Sequence, residues 1–108
     1  NLRKVLGDNV DKVYATIHGK TDDSQLCFSS EEMYRQIESY IVDNIGEKGS
    51  SRFVIAPDDT PYACTCASCT AMGNTEKNAT PAVTELLLRL SQRFPKHSFF
   101  TINDKRRS

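Results

Sequence analysis

Apolar and polar positions along this chain fall into blocks that read, in order, as strand, helix, strand, helix, strand. Val13-Tyr14-Ala15-Thr16-Ile17 is β-branched and aromatic, the composition of a strand. Ahead of it, Asn1 is placed to cap a short turn from Leu2 to Leu6, closed by Gly7. The polar stretch His18 to Ser24 reads as a loop. Ser29-Ser30-Glu31-Glu32 has capping-box spacing, with Ser29 as N-cap and Glu32 three positions on. Met33, Ile37, Tyr40, Ile41 and Ile45 recur behind it at helical spacing, and Gly46 supplies the stop. Phe53-Val54-Ile55-Ala56 is an apolar run ended by Pro57, the pattern of a buried strand. Pro57 to Ala79 follows as a loop long enough to be suspected of function. Thr80 caps a second helix with Pro81 at its first position; its apolar stripe is Val83, Leu86, Leu87, Leu90 and Phe94, and Pro95 ends it. Ser98-Phe99-Phe100-Thr101-Ile102 reads as the third strand, and residues 103–108 as a frayed polar tail.

This alternation predicts an α/β fold, β-α-β-α-β with parallel strands joined by helical crossovers. Parallel sheets are normally covered on both faces, and two helices barely cover three strands. The expected architecture is therefore a partial (β/α) barrel, one segment of a larger domain. Its raw sheet edges call for a neighbour, either the rest of the parent barrel or a second copy.

Composition narrows the class without changing the fold. The 108 residues suit one small domain, and the 38% hydrophobic and 26% charged content is that of a folded chain. Lys plus Arg and Asp plus Glu are 14 each, so charge gives no support to a nucleic-acid or membrane-surface partner. No apolar run is long enough to span a bilayer, and no signal-peptide pattern opens the chain. A start at Asn1 rather than Met reads as a processed or excised segment, which is compatible with export to a periplasm or cell surface.

The sharpest chemical feature is Cys64-Thr65-Cys66-Ala67-Ser68-Cys69, with Cys27 as the remaining cysteine. Cys27 lies on the segment leaving the first expected strand, and the other three on the segment leaving the second. In a parallel sheet both segments emerge at one edge, so the four sulfurs are expected to converge. Four thiolates there would complete a tetrahedral zinc site. A disulfide between Cys27 and a loop cysteine, or simply buried thiols, are the alternatives the spacing leaves open. Asp58 and Asp59 follow the second strand at the same edge. As neighbouring carboxylates they are candidates for general acid catalysis, against ordinary turn chemistry. His18, ending the first strand, is the candidate substrate-binding residue, against a hydrogen-bonded loop role. The stretch from Gly46 to Ser51 lacks a phosphate-loop pattern. Asn78-Ala79-Thr80 is a glycosylation sequon in form only, since Pro81 follows it.

Taken together, Gln25-Leu26-Cys27-Phe28-Ser29-Ser30, Ile55-Ala56-Pro57-Asp58-Asp59, the three-cysteine motif and Arg93-Phe94-Pro95 resemble domain-of-unknown-function family 4838 over roughly residues 18 to 102. That bacterial family is similar to glycoside hydrolase barrels. The resemblance implies a carbohydrate substrate and a barrel of which this chain would hold about two and a half of eight units. By analogy with hexosaminidase-like barrels, Asp59 would be the general acid and Asp58 would orient the sugar's acetamido group. The contrasting expectation is a non-catalytic module that binds zinc or carbohydrate.

Overall fold

A computed structural model of the chain describes residues 2–46, 50–56 and 62–101. Helix α1 (Leu2–Leu6) runs into a 3₁₀ segment (Gly7–Val13). A hairpin of β1 (Tyr14–Ile17) and β2 (Lys20–Leu26) follows. Then come α2 (Glu31–Asn44), β3 (Arg52–Val54), α3 (Ala67–Met72), α4 (Thr80–Arg93) and β4 (Ser98–Phe100). The result is a mixed α/β fold with two small sheets. One is the antiparallel pair β1–β2, the other the parallel pair β3–β4.

The expected parallel relation of the second and third strands is present, with Phe53 opposite Phe99 and Val54 opposite Phe100. The expected parallel neighbour on their flank is not: β1 pairs antiparallel with β2, inside the stretch read as a loop. The cause is the turn. His18 and Gly19 both take positive φ, 54° and 79°, and such two-residue turns match the twist of an antiparallel hairpin. The hairpin's register then slips between Tyr14 and Ala15, so that Tyr14 faces Leu26 while Ala15 faces Asp22. Only Gln25 and Leu26 of β2 are buried, which is why its polar sequence gave no strand pattern.

The two long helices carry the core. Met33, Ile37 and Ile41 of α2 are buried, as are Ala82, Val83, Leu86 and Leu90 of α4 and Phe94 just beyond it. Tyr40, placed on the α2 stripe by its spacing, is exposed instead. Ala15, Ile17 and Leu26 close the core from the hairpin. Phe53 and Phe99 stack across the parallel pair with ring centroids 5.3 Å apart. The solvent sides of the helices are clipped by Arg89 to Glu31 in a bidentate pair and by Arg93 to Glu38. Arg89 holds the Glu31 carboxyl below its usual range through those hydrogen bonds.

The helix starts differ in detail from expectation. Ser30, not Ser29, caps α2, its hydroxyl accepting from the Met33 N–H at 3.2 Å. At α4 the cap position is Ala79, and Thr80 is already helical. His97, buried between Phe53 and Phe94, joins the end of α2 to the start of β3. Its Nδ1 accepts from the Ser51 N–H at 3.0 Å, so the ring proton sits on Nε2 and is donated to the Gly46 carbonyl at 2.8 Å.

Candidate metal centre

The motif Cys64-x-Cys66-x-x-Cys69 folds as two local geometries in succession. The segment meets the edge of β1 away from β2 at Thr16, whose carbonyl accepts from the Thr65 N–H at 2.8 Å and whose N–H donates to the Cys64 sulfur at 3.3 Å. The Gln25 side chain secures this segment from β2 by donating to the Tyr62 carbonyl at 3.2 Å. Cys66 is in extended backbone, and its sulfur and that of Cys64 enter the same cluster. Cys66 is then the N-cap of α3, and its sulfur accepts from the Cys69 N–H at 3.5 Å. The first helical turn thus brings the Cys69 sulfur back to the other two. Gly73 ends α3 at φ 113°, where a Cβ would lie 3.3 Å from Pro81 Cβ.

Cys27 arrives from β2. Its N–H donates to the Val13 carbonyl at 2.7 Å, and the turn from Cys27 to Ser30 leads into α2. The four sulfurs of Cys27, Cys64, Cys66 and Cys69 lie within 4.8 Å of one another. Cys27 Sγ is 3.7 Å from both Cys66 Sγ and Cys69 Sγ. All four are free thiols. A tetrahedral ion with metal–sulfur bonds of about 2.3 Å needs sulfurs about 3.8 Å apart, so the cluster has the size of a one-ion site. Cys64 and Cys69 are buried; Cys27 and Cys66 are half-buried.

The expected convergence is therefore present, but by another route. Cys27 leaves a strand antiparallel to β1, and Cys64 reaches the cluster alongside β1 rather than beyond the end of a parallel strand. The segment read as one loop contains α3.

Electrostatics in the cluster are those of crowded thiols. Hydrogen bonds from Cys27 and then Cys69 favour the ionised form of Cys64. Cys69 is pushed the opposite way, because its proton is shared with Cys27 and Cys64. Ionisation of Cys64 is thus favoured and that of Cys69 opposed, each through hydrogen bonds among neighbouring sulfurs. A cation held by the four sulfurs would favour their thiolate forms.

Two residues around the cluster were given no part in it by sequence reading. Ser29, assigned there to the helix cap, turns its hydroxyl into the cluster, 3.1 Å from Cys69 Sγ and 3.4 Å from Cys27 Sγ. Its place two residues after a cysteine was the available signal. Asn74 is buried and donates to the Cys64 carbonyl at 3.1 Å while accepting from the Ala82 N–H at 3.0 Å. No sequence pattern marks it.

His18 sits in the hairpin turn with its side chain about half exposed, 3.5 Å from a Glu76 carboxylate and edge-on to Tyr62. Asp58 and Asp59 lie outside the described residues. Searches against protein-family models, curated proteins and solved structures find no match to this chain.

Proposed function

We propose that the chain is a zinc-binding module in which Cys27, Cys64, Cys66 and Cys69 hold one structural ion. The observation that carries this reading is the mutual approach of four free sulfurs, from two separate segments, all within 4.8 Å of one another, with Cys27 3.7 Å from two of them, close to a tetrahedron's edge. Four protein ligands leave no open position, the mark of a structural rather than catalytic zinc. The chemistry supplied is cross-linking: the ion ties the turn before α2 to the segment that begins α3.

The surrounding packing favours this role. Between residues 62 and 79 the buried side chains are Ala63, Cys64, Cys69, Asn74 and Ala79, with no Leu, Ile, Val or Phe among them. A segment that buries so little hydrocarbon has a weak hydrophobic hold, and a metal staple is the usual remedy in small domains. The reading does not depend on the sugar-processing context that the sequence resemblance implies.

Protein purified under reducing conditions is expected to carry about one zinc per chain, with no thiol titrating rapidly until a chelator is added. Cys69→Ser should abolish stoichiometric binding. Metal-free protein that takes up no zinc and shows four reactive thiols would sink the reading. One iron in place of zinc would keep the site and correct the metal, and a disulfide surviving in non-reducing gels would replace the site with a covalent staple.

A further inference from the structure

The four sulfurs are unequally supplied with hydrogen-bond donors. Cys64 Sγ receives the Thr16 N–H at 3.3 Å and Cys66 Sγ receives the Cys69 N–H at 3.5 Å. Among the described residues no backbone N–H reaches Cys27 Sγ or Cys69 Sγ. The group that reaches both is the Ser29 hydroxyl, at 3.4 and 3.1 Å, and it also lies 3.7 Å from Cys66 Sγ. It therefore covers the face of the cluster formed by the three sulfurs other than that of Cys64.

A hydroxyl has one hydrogen to give and two lone pairs to receive. With thiols, Cys69 donates to Ser29. With a metal bound, the sulfurs have no hydrogens left and the direction must reverse: Ser29 gives its hydrogen to a thiolate. Four thiolates around a dication leave a net charge of minus two in a half-buried place, a charge that is costly unless hydrogen-bonded.

Resting on the zinc reading, we propose that Ser29 is a positioning residue of the metal centre, its hydroxyl shared between the Cys27 and Cys69 thiolates that lack a backbone donor. It tightens the site and blunts the nucleophilicity of Cys27, so that the centre keeps its ion instead of reacting with electrophiles. The adjacent hydroxyl supplies an internal control, because the Ser30 hydroxyl caps α2 and, among the described residues, bonds none of the four sulfurs.

The test compares zinc-loaded wild type with Ser29→Ala, the near-isosteric pair Ser29→Thr and Ser29→Val, and Ser30→Ala. Zinc affinity is read by chelator competition, ligand reactivity by iodoacetamide alkylation mapped to each cysteine, and the sulfur environment by the thiolate-to-metal band of the cobalt-substituted protein. Ser29→Ala is expected to weaken zinc about 10–100-fold, the usual effect of losing a partner of a metal ligand. It should also speed alkylation of Cys27 and shift the cobalt band. Ser30→Ala should lower the melting temperature and leave those three readouts unchanged. If Ser29→Ala does not fold, the Thr and Val variants decide: they share shape, so a difference between them isolates the hydroxyl. Wild-type affinity, alkylation and spectrum in Ser29→Ala, or identical Thr and Val variants, would overturn the assignment while leaving the metal site standing. A wild-type chain that binds neither zinc nor cobalt overturns both.

Discussion

Asn74 shows how much one amide side chain can hold. At the start of α4 the Thr80 N–H is taken by the Asn78 carboxamide, Pro81 has no N–H, and the Ala82 N–H goes to Asn74. The same side chain holds the Cys64 carbonyl, so it fastens the cysteine segment to a helix terminus. Asn74→Ala leaves two buried backbone groups without partners, at about 1–3 kcal/mol each. The expected loss is about 2–6 kcal/mol, seen as a lower urea midpoint with an unchanged slope. A loss below about 0.5 kcal/mol would mean that water replaces the amide. At this scale the four cysteines were legible from type and spacing alone. Asn74, Ser29 and His97 were not, because their roles lie in partners far along the chain or in a choice between adjacent hydroxyls. Ser29 and Ser30 offer the same group to a helix cap, and only the neighbouring sulfurs decide which one takes it.

The elements were legible where burial is one-sided and continuous. Both long helices follow their apolar stripes; β3 and β4 pair in parallel as expected, but the expected buried strand is not what forms, since Val54 and Phe100 are exposed, Phe53 and Phe99 are half-buried, and only Ile55, past the end of β3, is buried. β2 was illegible because Lys-Thr-Asp-Asp-Ser-Gln-Leu packs against the core only at its end; its pairing comes from the turn, not from its own pattern. α3 has six residues and one buried side chain, Cys69, too few for any stripe. What specifies α3 is punctuation: Cys66 starts it and Gly73 stops it. Alanine at Gly73 would meet both a left-handed backbone and the Pro81 ring. Left-handed residues with a Cβ cost roughly 1–2 kcal/mol, and the crowding adds to that. Gly73→Ala should therefore lower stability by at least that amount, as measured by thermal unfolding, and should weaken zinc binding in parallel because the turn carrying Cys69 shifts. Unaltered stability would show that the α3–α4 corner yields without cost.

For the whole molecule, the expected parallel sheet edge is not the frame on which the cysteines meet. They meet because β1 pairs with β2 through a reversed turn, while on its other side Thr16 holds the Thr65 N–H and gives its own N–H to the Cys64 sulfur. Topology was the illegible level, since a hairpin and a crossover can follow the same first strand and here a two-residue turn chose between them. The consequence for stability is a linkage: an ion that binds only the folded chain stabilises it by about 4 kcal/mol at a free concentration 1,000 times its dissociation constant. For a domain this size that shift is on the order of 15 °C in melting temperature, so chelation should lower the midpoint by a similar amount. A midpoint indifferent to chelator would mean that the core of α2 and α4 sets global stability by itself.

One rung of the β1 edge ends on sulfur, since the Thr16 N–H points at Cys64 Sγ where a strand would offer a carbonyl. A thiolate is a strong acceptor and a thiol a weak one, so this rung stiffens or slackens with the ion's presence. The Thr16 amide thereby becomes a gauge of occupancy written into the backbone. Hydrogen exchange at Thr16 should quicken on zinc removal by more than at the amides shared between β1 and β2, which have carbonyl partners throughout. Equal acceleration at all of them would mean that the hairpin opens as one piece and that the sulfur rung reports nothing of its own.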